Sequence, residues 1–241
     1  MPGLNDLAIA DFTRSIALKP DDPVAFNNRG YMYLLYGLYD LALADFTQTI
    51  ALNPDDGGAY EIRGLAEHYK GLWDLAIADY TKAIALEPGR APVFKVRGLS
   101  YHNKQLEDLA IADYTQAITV ASDDAEAFCY RANAYDRKAL YDLAIADYTR
   151  AIALNPDYAG AYNDRAWDYH LQGADTKGLP DAEKAVLLEP KDANALETRA
   201  EIYEKLGRPD DAIADYRAAL KLDPNQQASK DGMKRLGVIN P

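Results

Sequence analysis

The chain has 241 residues and a formal charge of −12, with 38 Asp and Glu against 26 Lys and Arg. It therefore lacks the clustered positive charge that phosphate backbones and anionic membrane surfaces require, and nucleic acid is not an expected partner. No run approaches the roughly 18 apolar residues of a membrane span, and Met1 is followed by PGLND rather than a basic segment and an apolar core. Membrane insertion is not expected. A single cysteine, Cys129, excludes an internal disulfide. These features favour a soluble chain in the reducing cytoplasm without fixing the compartment.

Taken in chain order, the first expected element is a helix within residues 4–20, whose apolar residues are Leu7, Ile9, Phe12 and Ile16. It contains DLAIADF at 6–12, and the segment returns as DLALADF at 40–46, DLAIADY at 74–80, 108–114 and 142–148, and DDAIADY at 210–216. The step is 34 residues, and TKGLPDA at 176–182 holds the expected register and keeps Asp181. A fixed period takes precedence over length in counting domains, so one array is expected. It divides into a partial unit at 4–22 and units at 23–56, 57–90, 91–124, 125–158, 159–192 and 193–226.

Each full unit reads as two amphipathic helices. In 57–90, Tyr60, Leu65, Ala66 and Tyr69 recur at helical spacing, Gly71 marks a stop, and Leu75, Ala76, Tyr80, Ile84 and Leu86 form a second stripe. Pro88 ends that stripe, as Pro20, Pro54, Pro156, Pro190 and Pro224 do elsewhere, with Ser122 in the unit lacking it. In 159–192, Gly173, Gly178 and Pro180 interrupt the pattern. A loop followed by a late helix start near Leu179 or Pro180 is expected there. Residues 227–241 are polar around isolated Met233 and Leu236 and read as a solvating C-terminal helix and tail.

The pattern Phe26-x2-Arg29-Gly30-x2-Tyr33, then Ala42-x3-Phe46, then Pro54, resembles the tetratricopeptide repeat, whose period is also 34 residues. The resemblance extends over about residues 4–226, and the recurring AxADY segment is of the kind bacterial arrays carry. Small residues fall where two helices must approach closely: Gly30, Gly64, Gly98, Ala132, Ala166 and Ala200 on first helices, and Ala8, Ala42, Ala76, Ala110, Ala144 and Ala212 on second helices. The resemblance implies an all-α fold, a right-handed α-solenoid superhelix of antiparallel helix pairs. Its first helices would line a concave groove that binds peptides or proteins.

Two charged series share the period. Arginines stand at Arg29, Arg63, Arg97, Arg131, Arg165 and Arg199, where the family usually has leucine. Aspartates stand at Asp11, Asp45, Asp79, Asp113, Asp147, Asp181 and Asp215. Removing an arginine from water is costly unless it is paired, so the expectation is a structural ladder in which each arginine reaches an aspartate on a neighbouring second helix. The alternative is two solvated charge stripes. The other aspartate of the heptapeptide, as in Asp74, is expected to cap its helix.

No constellation for catalysis is visible, and the chain is not expected to be an enzyme or to need a cofactor. His68, His102 and His170 fall at the same late first-helix position, with Asp136 in the same register. No HExxH or CxxC spacing accompanies them, so no metal is expected. Cys129 has no histidine arranged as a base and reads as a small side chain.

By the resemblance, the groove in the early units is lined by Asn27, Tyr31, Leu34 and Leu35, by Leu65, His68 and Tyr69, and by Lys95, Leu99 and His102. In the later units the projected lining is Glu126, Asn133, Asp136 and Arg137, then Asn163, Trp167 and His170, then Glu197, Glu201 and Glu204. The expected ligand is a protein or peptide with apolar anchors for the first half and Lys or Arg for the acidic second half. The arrangement that clamps a C-terminal carboxylate is disfavoured, because Lys95 is followed by Leu99 and Tyr130 where asparagines would be wanted. An oligomerisation module, or a regulatory arm of a larger enzyme, are the alternatives to an interaction scaffold. The helix at 4–20 has no first helix before it, and its exposed stripe is expected to make a homodimer contact.

Overall fold

The computed structural model describes residues 4–238, which form fourteen α-helices and no strand. The chain divides into two compact units, residues 1–122 and 123–241. The first holds α1 (Leu4–Leu18), α2 (Pro23–Leu35), α3 (Tyr39–Leu52), α4 (Gly57–Tyr69), α5 (Trp73–Leu86), α6 (Ala91–Asn103) and α7 (Glu107–Val120). The second holds α8 (Ala125–Arg137), α9 (Tyr141–Leu154), α10 (Ala159–Leu171), α11 (Asp175–Leu188), α12 (Ala193–Lys205), α13 (Pro209–Leu222) and α14 (Gln227–Arg235). Within each unit a helix packs most extensively on its hairpin partner and next on the first helix of the following pair.

The helix boundaries have local causes. Asp22, Asp56, Asp124 and Asp192 cap α2, α4, α8 and α12 by accepting from backbone N–H groups two or three residues on. The hairpin turn at the end of each first helix needs a left-handed residue. Glycine supplies it at Gly37, Gly71, Gly173 and Gly207, whereas Gln105 and Ala139 adopt φ of 61° and 55° at the equivalent places. Close approach of the paired helices puts a large ring of the second helix over a small residue of the first. A Cβ added to Gly64 would meet the Tyr80 ring at 2.9 Å. Tyr80, Tyr114, Tyr148, Tyr216 and Phe46 are all deeply buried at this one repeat position.

The arginine and aspartate series meet inside each hairpin. In six pairs, from Arg29 and Asp45 to Arg199 and Asp215, Nε and Nη2 donate to the two carboxylate oxygens at 2.6–2.8 Å. The third nitrogen, Nη1, of Arg29, Arg63, Arg97 and Arg165 donates to Thr13, Thr47, Thr81 and Thr149 on the preceding second helix at 2.8–3.3 Å. One guanidinium thus ties three helices. Each guanidinium also lies against an aromatic ring three residues before it or four after it, and Arg29, Arg97 and Arg131 against both, as Arg97 does against Phe94 and Tyr101 at 5.9 Å each. Desolvation offsets much of the attraction in such a pair, so its main contribution is geometric, fixing the register of the hairpin. Asp11 is the exception. It is exposed on α1 and has no arginine partner among the described residues.

Three further expectations are corrected. The helix α11 runs unbroken from Asp175 to Leu188 with Pro180 inside it, so the loop and late start near Leu179 do not occur. Pro180 is the sixth helical residue and forfeits a single backbone bond near the N-terminus. The buried face at Gly178, Asp181, Ala182 and Ala185, fastened through Asp181 to Arg165, outweighs that loss. Asp74 does not cap α5, which begins after Leu72 without a side-chain cap. Instead it accepts from Lys104 at the end of the next first helix, as Asp40 does from Lys70 and Asp142 from Gln172. Nor is the C-terminal helix merely solvating. Met233, Ser229 and Gly232 of α14 are buried, with Met233 packed among Ala200, Tyr203, Ala212 and Tyr216.

Candidate functional site

The first helices bury one face against the second helices and present another at the projected groove positions. In the first unit Tyr31, Leu35 and Tyr69 are exposed, while Asn27, Leu65, His68, Lys95, Leu99 and His102 are half-buried. Leu34 is not part of this surface: it is buried among Ala42, Phe46 and Ala66. The Tyr69 ring stacks on Tyr39 at 5.8 Å between centroids, so part of the aromatic surface is held rigidly. In the second unit Glu126 and Arg137 are exposed, and Asn133, Asp136, Asn163, Trp167, His170, Glu197, Glu201 and Glu204 are half-buried. Cys129, at a corresponding position, is buried, and burial pushes its thiol up to about 12.

The three histidines have separate partners. His68 Nδ1 lies 2.8 Å from Ser100 Oγ, and burial lowers its pKa. His102 Nδ1 lies 2.7 Å from Glu107 Oε2. His170 is held between Glu201, 3.4 Å from Nε2, and Asp175, 2.6 Å from Nδ1; the bond to Glu201 is the main cause of its raised pKa, against the effect of burial. Among the described residues no group of three His, Cys, Asp or Glu is placed to hold a metal ion.

The acidic end of the second unit is partly neutralised from within. Arg235 of α14 donates to both oxygens of Glu204 at 2.9 Å and lies 3.7 Å from Glu201, which lowers the pKa of Glu204. With His170 and Lys205 these residues surround a cavity of about 300 Å³. Glu197 accepts from Ser229 at 3.1 Å, and burial raises its pKa.

Three carboxyls missed by the sequence reading stand out against the period, Asp168 and Glu67 buried and Asp164 half-buried. Asp168 occupies the place of Ala66, Ser100, Ala134 and Ile202, and Asp164 that of Ile62 and Val96. Burial raises both, Asp164 to about 6. Glu67 replaces the tyrosine found as Tyr33, Tyr101, Tyr135, Tyr169 and Tyr203. Burial, and then the adjacent Asp79, push its carboxyl up to about 7. The detectable signal was a polar residue breaking an apolar or aromatic column.

On α1, Leu7 is exposed and Ile9, Phe12 and Ile16 are half-buried, with α2 as the packing partner of this helix. No helix of the described residues is long and apolar enough to cross a membrane.

Residues 23–56, 125–158 and 193–226 each match the family model of the tetratricopeptide repeat. In structure the chain is similar to the C-terminal part of a TPR repeat-containing protein from Cytophaga hutchinsonii, with TM-score 0.75, 26% identity, and 95% of this chain and 94% of that one covered. It is also similar to a chain of the APC/C hetero-tetramer Cut9–Hcn1, with TM-score 0.77 and 19% identity over 97% of this chain, which spans 46% of that one. YrrB, described as a TPR protein with an unusual peptide-binding site, aligns with TM-score 0.65 and 19% identity over 78% of this chain and 97% of its own. The last two likenesses bear on the fold, an all-α repeat solenoid. No curated protein matches in sequence.

Proposed function

Because this chain is a tetratricopeptide-repeat protein, a kind of protein-interaction scaffold, we propose that the first-helix faces of its two units hold a partner peptide or protein segment. The carrying observation is the pair of chemistries left outside the core. Exposed Tyr31, Leu35 and Tyr69 offer apolar and aromatic area on the first unit, and Asp136, Glu197, Glu201 and Glu204 gather negative charge on the second. Rigid aromatics give contact area at small entropic cost, and the acids give salt-sensitive attraction for Lys or Arg. The partner is therefore one that offers apolar residues to the first unit and Lys or Arg to the second. Selection of a displayed random-peptide library on the intact protein tests this reading. Enriched peptides should combine apolar and basic residues and bind at least about tenfold less tightly to the triple variant Tyr31→Ala, Leu65→Ala, Trp167→Ala, each truncation removing an interface anchor. Unchanged affinity in a variant of unchanged helicity would put the partner on another face.

A second reading, self-association through α1, is favoured by Leu7, which is 51% exposed beside half-buried Phe12 and Ile16. Sedimentation equilibrium should then show a dimer that Leu7→Lys dissociates. A monomer at all concentrations removes this reading and leaves the first untouched.

A further inference from the structure

The second unit contains a cluster made almost wholly of acceptors. Asp136 projects from α8, and Asp164 and Asp168 from α10. Asp168 is 1% exposed, and neither of its carboxylate oxygens has a hydrogen-bond donor. The Oδ1 of Asn163 is likewise buried without a donor, while its Nδ2 donates to Asp164 at 3.2 Å. From α9 the Tyr148 hydroxyl donates to Asn133, not to a carboxylate. Asp192, at the start of α12, adds a further negative charge acting on Asp164. The charged groups that raise the two α10 aspartates are Asp136, Asp192 and, for Asp168, Asp164, with the Asn163 amide opposing on Asp164; the Tyr148 hydroxyl and the Cys129 thiol face the cluster as neutral groups.

Such a cluster is unfavourable as it stands, because a buried acceptor without a donor bears its full desolvation cost. Burial, and then the contact with Asp136, hold Asp168 protonated well above the ordinary carboxylate range, and that proton relieves the repulsion. What the geometry lacks is a donor-rich cation. Asp136 gives access to it, being half-buried at the late first-helix position that the groove projection assigns to ligand contact.

We propose that Asp136, Asp164 and Asp168 form a receptor for one arginine side chain of the bound partner, its guanidinium supplying the donors that the buried Asp168 oxygens lack. This rests on the reading that the first-helix faces bind a peptide. Arginine is selected over lysine because a planar fork of five N–H donors serves two carboxylates at once, whereas an ammonium is a compact point charge. The same chain uses that fork six times, at 2.6–2.8 Å, to satisfy its other buried aspartates. A metal ion fits less well, since among the described residues no carboxylate group is arranged to ligate one. On binding, the displaced proton leaves to the buffer, and the guanidinium stays charged throughout.

The test uses the full chain and N-acetyl-arginine amide as probe, with N-acetyl-citrulline amide as the uncharged isostere. Amide NMR should show saturable shifts at Asp136, Asn163 and Asp168 with the arginine probe and none with citrulline. Calorimetry in two buffers of different ionisation heat should find close to one proton released, with affinity rising by up to about tenfold per pH unit between pH 6 and 8. Asp168→Asn and, in case that buried site disturbs folding, Asp136→Asn should each weaken binding about tenfold or more, as loss of a charge-assisted bond implies. Absent shifts at these amides, equal response to citrulline, or affinity unchanged in both variants would overturn the assignment. The probe needs no partner protein, so this result is independent of the peptide selection that tests the groove itself.

Discussion

Replacing Glu67 by tyrosine should stabilise the protein, and by an amount that grows with pH. Glu67 is 8% exposed, sits beside Asp79 in the Arg63–Asp79 pair, and occupies a column that is otherwise tyrosine. Its carboxyl is raised from 4.5 to about 7 by burial first and by Asp79 second. A group whose folded pKa lies above its unfolded value adds stability below the unfolded value and loses it as pH rises through the folded one. Between pH 5 and pH 8 the native protein must therefore lose stability at this site. The fully dry limit at pH 8 is about 3 kcal/mol, reduced to about 1–2 kcal/mol when water reaches part of the carboxyl. Tyrosine also supplies the second ring that Arg29, Arg97 and Arg131 have and Arg63 lacks, worth about 0.5–1 kcal/mol. Urea unfolding at pH 5 and pH 8 would measure both terms. The expected gain is about 1 kcal/mol at pH 5 and about 2–3 kcal/mol at pH 8, with Glu67→Gln reproducing the pH-dependent part alone. Equal pH slopes in the native protein and both variants would show that Glu67 ionises normally and refute the reasoning.

Breaking one rung of the ladder should cost more than removing it. Arg97→Met leaves Asp113 buried without its fork and should destabilise by about 3–5 kcal/mol, while Arg97→Met with Asp113→Leu should recover most of that loss in a double-mutant cycle. At the left-handed turn residue Ala139, with φ of 55°, substitution by glycine should gain about 0.5–1 kcal/mol, the relief of strain exceeding the added unfolded-state entropy. Thermal unfolding of Ala139→Gly beside a control Gly71→Ala, which should lose stability, checks it.

Periodicity made the helix pairs legible because each repeat position has one environment. The ring over the small residue, the proline after the second helix and the arginine 16 residues before its aspartate recur with the period, and the hairpins follow from them. Local rules failed where packing decided. Gly178 and Pro180 are weak helix residues, but the α11 face of Gly178, Asp181, Ala182 and Ala185 buries well enough to keep the helix whole, with Pro180 on the exposed side. Leu34 looked like groove lining by its position, yet the crossing of α2 over α3 and α4 turns it into the core.

The sequence by itself determined the repeat, the helical content and the paired charge series, because these depend on spacing along the chain, and spacing survives without coordinates. Only the tertiary structure decided which carboxylates lose their water. Asp74 and Asp168 are the same residue type on neighbouring kinds of helix, yet Asp74 is exposed and meets Lys104, whereas Asp168 is enclosed beside Asp136. Desolvation depends on what surrounds a side chain from every direction, and residues distant in the chain supply most of that surrounding.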